Sequence, residues 1–323
     1  MVIQKINSNK DYDVVGVGNA IVDLISEVDE NYLKENNIIK GTMSLVEYDV
    51  ANKISNEIKI TKTISGGSVA NSIVCMSQQG LRVAFIGKVN NDKLGIEFAA
   101  GLKKEKVGFK ITKTSIDKHT ARCAILVTSD AERTMNTYLG ISQELSEKDI
   151  DTNLIKNSSI IYLEGYLWDL ENAQKAIQKS IIAAKESQTM VAFSISDAFC
   201  VSRFRNKFLD LINNSADIIF ANEAEIKSLY ETDDINNAIQ KCQETKKIFA
   251  ITLGNKGAKV IYKSEVIDTE PEMISNLVDT TGAGDLFAAG FLSEYIRSQN
   301  LRSCGKEGVR LASLIIQKFG ARL

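Results

Sequence analysis

In the second half of the chain, apolar runs alternate with stretches of helical periodicity. Ile160-Ile161-Tyr162-Leu163-Glu164 reads as a strand, and Ala173, Ala176, Ile177, Ile181 and Ala184 then recur at helical spacing, predicting a helix over Glu171 to Glu186. Further strands are expected at Met190 to Ile195, Asp217 to Phe220 and Ile248 to Leu253, with helices around Arg205 to Ile212, Glu223 to Tyr230 and Ile235 to Glu244. Apolar strands separated by helices are those of a mainly parallel sheet covered on both faces, a three-layer α/β/α domain. Ligands in such sheets sit at the carboxyl ends of the strands, where Asn222 and Thr252 fall.

The first half has a different texture. Asp13 to Gly18 reads as a core strand, Ser68 to Gln79 as a core helix and Val83 to Val89 as another strand. Residues 36–46 and 111–127 instead alternate polar and apolar positions with no helix between, most clearly over Thr120 to Val127. Such segments predict a small sheet with one wet face, inserted at about 24–48 and 109–140 as a lid on a single domain spanning 1–323. No Pro/Gly/Ser-rich linker, repeat or low-complexity tail marks a join between two domains.

Composition narrows the partners. The chain has 323 residues, 44% apolar and 25% charged, with 39 Lys and Arg against 41 Asp and Glu. A formal charge of −2 draws it to neither nucleic acid nor an anionic membrane. No apolar run approaches the roughly 18 residues that span a bilayer. The polar stretch Met1 to Lys10 lacks the apolar core of a secretion signal, so a cytoplasmic protein is expected. Five scattered cysteines with no C-x-x-C pair argue against a disulfide framework or a zinc site. His119, the one histidine, lies in a polar turn and reads as a solvated loop residue. Gly16-Val17-Gly18 resembles a dinucleotide fingerprint but continues with Ile21 where a small residue is needed, and no G-x-x-x-x-G-K-[ST] loop occurs.

The chemistry concentrates in Asp279-Thr280-Thr281-Gly282-Ala283-Gly284-Asp285, which runs into the apolar Leu286-Phe287-Ala288-Ala289-Gly290-Phe291-Leu292. Glycines at the start of a helix let backbone N–H groups converge on one point, a setting for a phosphate. Asp285 on the first turn gains nothing from holding phosphate alone. As a general base toward an alcohol, it would take the hydroxyl proton while the amides of Gly282, Ala283 and Gly284 hold the departing charge. The alternative is a first turn that simply prefers an acid.

This segment resembles the second signature of the ribokinase-like (PfkB) carbohydrate and nucleoside kinases. Gly66-Gly67-Ser68-Val69-Ala70-Asn71-Ser72, followed by Gly80 and Gly87-Lys88-Val89-Asn90-Asn91-Asp92, resembles the first. Asn222-Glu223-Ala224-Glu225 is similar to the family's magnesium-associated element, and Thr252 to Gly257 to its nucleotide loop. Four elements stand in family order from about residue 13 to the end. Gly18 to Asp23 and Glu132 to Gly140 are most similar to the bacterial members usually called adenosine kinases. The resemblance implies the lidded fold and transfer of phosphate from ATP to an alcohol. It implies that Asn222 contacts phosphate, that Glu225 orients magnesium-bound water, and that Asp279 and Thr281 border a potassium site.

Each assignment has a plainer competitor. Glu225 equally suits a first helical turn; Thr252, Gly254 and Gly257 could shape a strand–turn–strand hairpin with Ala258 to Lys263. Asp23 can accept hydrogen bonds from two vicinal hydroxyls of a furanose, with Asn19, Asn71 and the Gly66 and Gly67 amides assisting, or it can cap a loop. Arg133 could steady the phosphoryl group or lie exposed on the lid, and Tyr138, Tyr166, Trp168 and Phe199 could stack on a base or fill the core. The expected activity is phosphorylation of a nucleoside 5′-hydroxyl, adenosine foremost, using ATP and Mg2+. Thr280-Thr281 is more typical of sugar kinases, which keeps ribose or fructose open as acceptor. A non-catalytic nucleotide- or nucleoside-binding protein is the third reading, against which Asp285 and the intact glycine loop count. The lid sheet leaves both a monomer and a homodimer open.

Overall fold

The computed structural model describes residues 10–112, 114–130 and 132–323. Apart from Lys10, the polar N-terminal stretch read for a secretion signal lies outside them. In chain order the strands are β1 (Tyr12–Val17), β2 (Ile21–Glu27), β3 (Met43–Leu45), β4 (Lys62–Gly66), β5 (Val83–Ile86), β6 (Ala121–Val127), β7 (Arg133–Tyr138), β8 (Ser158–Glu164), β9 (Met190–Ser194), β10 (Ile218–Asn222), β11 (Ile248–Thr252), β12 (Ala258–Tyr262) and β13 (Glu265–Thr269).

Eight of these form one sheet in the order β13-β12-β11-β10-β9-β8-β1-β5. From β11 to β5 every pairing is parallel, and β12 and β13 add an antiparallel edge. Alternate residues feed opposite layers, because successive Cβ atoms of a strand point to opposite faces. Val14 and Ile160 pack under helices Ser68–Gln78, Lys93–Lys104, Ala283–Ser298 and Leu301–Ile315. Val15 and Ile161 pack under Glu171–Glu186, Ala198–Asn214, Glu223–Tyr230 and Ile235–Thr245. The three-layer expectation holds. Helix Ala283–Ser298 is apolar almost all round because it is wedged between the sheet and helices Ser68–Gln78 and Leu301–Ile315.

The lid is a second, five-stranded sheet ordered β3-β7-β6-β2-β4. It is larger than the alternating pattern suggested, since β2 begins at Ile21 and β4 runs to Gly66. Its uncovered face is turned inward, onto a cavity. Helices Glu30–Glu35 and Tyr48–Glu57 cover one side around Leu33, Ile54, Ala124 and Leu126. The other side presents Asp23, Ile25, Cys123, Ile125, Arg133 and Met135 to a cavity. Glu30–Glu35 is short with one buried position, so its periodicity is faint, whereas Tyr48–Glu57 is clearly amphipathic and the sequence reading passed over it. Helix Ala198–Asn214 starts well before Arg205 because Asp197 caps it, accepting from Cys200 N at 2.6 Å. The five cysteines are free and buried, and no helix among the described residues is long and apolar enough to cross a membrane.

Candidate active site

The carboxyl ends of β10 and β11, the start of helix Ala283–Ser298 and the inner face of the lid enclose a cavity of about 660 Å3. Gly282 caps the helix with φ +79°, a left-handed conformation that costs glycine little. A Cβ there would lie 2.6 Å from that of Ala321, whereas one on Gly284 would meet nothing within 4 Å. The loop thus packs against the C-terminal segment on one side and stays open on the other. The amide of Ala283 turns back to Thr280 O (3.2 Å) and is therefore engaged, where the sequence reading expected it to be free for an anion.

Asp285 is held from helix Ser68–Gln78. Ser68 donates from Oγ to Oδ1 at 2.6 Å and Asn71 from Nδ2 to Oδ2 at 2.9 Å, while Ser72 Oγ donates to the Asp285 carbonyl at 2.8 Å. Burial pushes the carboxyl up, against the pull of Ser68, Asn71 and the Arg322 guanidinium. A carboxylate held this way is oriented and somewhat more basic than a free aspartate, properties that suit a general base.

Asp23 faces the same cavity from β2. Gly66 stands beside it because no side chain fits: a Cβ would fall 2.3 Å from Asp23 Oδ2. Gly67, at φ +104°, turns the chain from β4 into helix Ser68–Gln78. Burial pushes Asp23 up to about 7, with Arg322 and Arg133 opposing and Asp285 adding to it. Asn19 donates from its backbone N (2.7 Å) and Nδ2 (2.9 Å) to Oε1 of Glu164, whose Oε2 accepts from Val69 N (3.0 Å). Burial pushes Glu164 up to about 7 as well, despite these three donors.

The cavity gathers Asp23, Gly67, Asn71, Asn222, Glu225, Thr252, Gly254, Gly282, Ala283, Gly284 and Asp285. Asn19 lines a neighbouring cavity of about 570 Å3, largely apolar, with Ile21, Leu45, Leu139 and Phe199; Met43, Ser68 and Tyr166 border both. Tyr138 lines neither. Along β7 the cavity side belongs to Arg133, Met135 and Thr137, and Tyr138 points the other way, edge-on to Tyr48 at 5.5 Å. Trp168 is core, against Phe193 and Phe208. His119 stacks on Tyr48 at 4.2 Å, away from both cavities. Gly257 closes the β11–β12 hairpin, donating to Gly254 O and accepting from Leu253 N, so its part is to shape the turn.

Glu225 forms a capping box with Asn222: Asn222 donates from N (2.9 Å) and Nδ2 (2.5 Å) to its carboxylate, and Glu225 N donates back to Asn222 Oδ1 (2.9 Å). Burial pushes this carboxyl up to about 7. Glu225 is therefore a helix cap that also borders the cavity. Among the described residues no three His, Cys, Asp or Glu side chains cluster as a metal site. Magnesium keeps most of its waters and needs few protein ligands, so a lone carboxylate such as Glu225 at the cavity wall is compatible with it. Potassium fits less well. Asp279 accepts from Thr281 N (2.9 Å) and Gly320 N (2.9 Å) and pairs with Arg133, which leaves little charge for a second cation. Sequence reasoning missed Ser68 and Arg322, and missed Glu164 as a ligand of Asn19. A charged residue closing an apolar strand was the available signal for Glu164; nothing marked Arg322.

Residues 13–323 match the model of the pfkB family carbohydrate kinases. The structure is similar to that of adenosine kinase from Sinorhizobium meliloti, with 39% identity and a TM-score of 0.88 over 97% of this chain and 96% of that one. It is as similar to a probable sugar kinase protein from Rhizobium etli CFN 42, with 38% identity and a TM-score of 0.88 over 97% and 95%. A probable chloroplastic fructokinase-6 of Arabidopsis thaliana is 29% identical over 80% of this chain and 69% of its own length. Kinases of this kind use ATP, normally with Mg2+. The chain belongs to the pfkB family of carbohydrate kinases and is a phosphotransferase acting on a hydroxyl group.

Proposed function

We propose that the protein phosphorylates the 5′-hydroxyl of a nucleoside, adenosine foremost, using ATP and magnesium. The observation that carries this reading is the apolar cavity adjoining Asp23 and Asp285 through Met43, Ser68 and Tyr166. A furanose with its vicinal hydroxyls on Asp23 would direct a base into Ile21, Leu45, Leu139 and Tyr166, and a lone sugar ring has no use for that apolar volume. Likeness to the Sinorhizobium meliloti adenosine kinase supports the same choice.

In this mechanism the acceptor hydroxyl replaces Ser68 or Asn71 as a hydrogen-bond donor to Asp285, and the carboxylate takes its proton as the new P–O bond forms. The amides of Gly282, Gly284 and Asp285 hold the charge on the transferring group at the helix N-terminus. Magnesium, when bound, neutralises the nucleotide phosphates, with Glu225 acting on its waters. The lid excludes water from the reacting centre.

Sugar phosphorylation is the second reading, supported by Thr280-Thr281 and by likeness to the Rhizobium etli protein. An ADP-release assay over adenosine, 2′-deoxyadenosine, inosine, guanosine, ribose and fructose separates the two. Adenosine should have the highest kcat/KM, and loss of the 2′-hydroxyl should cost roughly 1–3 kcal/mol by leaving Asp23 unpaired. Free ribose or fructose outrunning every nucleoside would establish the sugar reading.

A further inference from the structure

Arg322 belongs to no motif read from the sequence, yet it reaches the acceptor side of the cavity. The segment carrying it is fixed residue by residue: Gly320 N donates to Asp279 Oδ2 at 2.9 Å, and Ala321 packs against Gly282. The guanidinium of Arg322 then donates from Nη1 to Ala70 O at 3.1 Å and from Nη2 to Ser65 O. Ser65 lies on β4 of the lid and Ala70 in the first turns of helix Ser68–Gln78, so the two carbonyls flank the Gly66-Gly67 turn.

Charge points the same way. Among the described residues lining the cavity, Arg133 and Arg322 are the only cations, and Arg133 is paired with Asp279. Asp23 is faced by Arg322, Arg133, Asp285 and Cys123; Arg322 is faced by Asp23, Asp285, Glu105 and Cys75. Two buried carboxylates opening on one cavity repel each other, and a nearby cation offsets that repulsion. Burial lowers Arg322 to about 10, which still leaves it charged at neutral pH.

We propose that Arg322 is the positioning residue for the acceptor: it fastens both sides of the Gly66-Gly67 turn and supplies the positive charge opposite Asp23. This rests on the reading that Asp23 binds the acceptor's vicinal hydroxyls. Arginine suits both tasks, because one planar group can hold two carbonyls while keeping its charge. A lysine would keep the charge and lose the two-point hold.

The test compares R322M and R322K with wild type, using the best acceptor found by the ADP-release assay. R322M should raise the acceptor KM by about tenfold or more, with the ATP KM within about twofold. The acid limb of its kcat/KM for acceptor should move to higher pH, because Asp23 loses its main counter-charge. R322K should restore the acid limb but keep a raised acceptor KM. A wild-type acceptor KM and acid limb in R322M would overturn the proposal, as would equal rises in the ATP and acceptor KM. If R322M does not fold, R322K decides: a wild-type acceptor KM rejects the two-point hold, and a raised one with the acid limb unmoved supports it. If a sugar proves to be the acceptor, the nucleoside reading fails while the same comparison, made with that sugar, still tests Arg322.

Discussion

Ser68 donates a 2.6 Å hydrogen bond to the carboxylate of Asp285, across 217 positions of sequence. The first-signature helix thus presents a hydroxyl to the carboxylate that, in the proposed reaction, would receive the acceptor hydroxyl. Asp285→Asn should lower kcat by 10²–10⁴-fold, the usual cost of losing a general base. ATP and acceptor affinities, measured by calorimetry, should stay close to wild type because the amide fills the same space. Retention of more than about a tenth of the rate would remove Asp285 from the role of base.

Gly66→Ala should cripple acceptor binding while sparing ATP. The added methyl would stand 2.3 Å from Asp23 Oδ2, so the carboxylate or the turn must shift. An acceptor KM raised by about tenfold or more is expected, since misplacing a hydrogen-bond partner strands a buried polar group. Unchanged acceptor kinetics would mean that Asp23 has no part in holding the substrate.

Glu225→Gln separates the two parts that Glu225 can play. Glutamine also serves at the third position of a capping box, so thermal stability should change little. Loss of the charge should raise the magnesium concentration for half-maximal rate and lower kcat, with acceptor KM unaltered. A normal magnesium titration would leave Glu225 as a helix cap only.

Glu164 gives a pH signature. Its carboxyl sits near 7 in the folded chain against an ordinary 4.5, so the folded state binds the proton more tightly than the unfolded one. Its contribution is fully present below the unfolded value and is lost as pH rises through about 7. Asp23 and Glu225, also near 7, act in the same direction. Wild-type unfolding free energy, followed by denaturant titration, should therefore fall between about pH 5 and 7.5 more steeply than that of Glu164→Gln, whatever the variant's absolute stability. Parallel slopes would show that Glu164 titrates normally.

What the sequence disclosed follows from how local each feature is. Helices Glu171–Glu186 and Glu223–Tyr230 lie where apolar spacing put them, because each buries one clear stripe against the sheet. The Gly282 to Asp285 loop was legible because positive φ and close backbone approach leave few residues to choose from. Of the helices over the lid, Glu30–Glu35 was not, since Leu33 alone sets no period, while the amphipathic spacing of Tyr48–Glu57 was there and went unread. Tyr138 was misplaced because strand parity cannot be known before the partner strands are. Arg322 was invisible for a stronger reason: its carbonyl partners lie 252 and 257 positions away and carry no side-chain signature.

The carboxylate of Glu164 grips Asn19, between β1 of the central sheet and β2 of the lid, and Val69, at the start of the helix that follows β4 of the lid. One buried carboxylate thus ties the root of the lid to the end of β8 in the central sheet. Any swing of the upper sheet about it would leave Asp23, only four positions from Asn19, almost still, and would carry the far rim at Met43 through the widest arc. Under the proposed function, the hold of Asp23 on a ring would then change less than the width of the apolar chamber beyond it, which Met43 and Leu45 border.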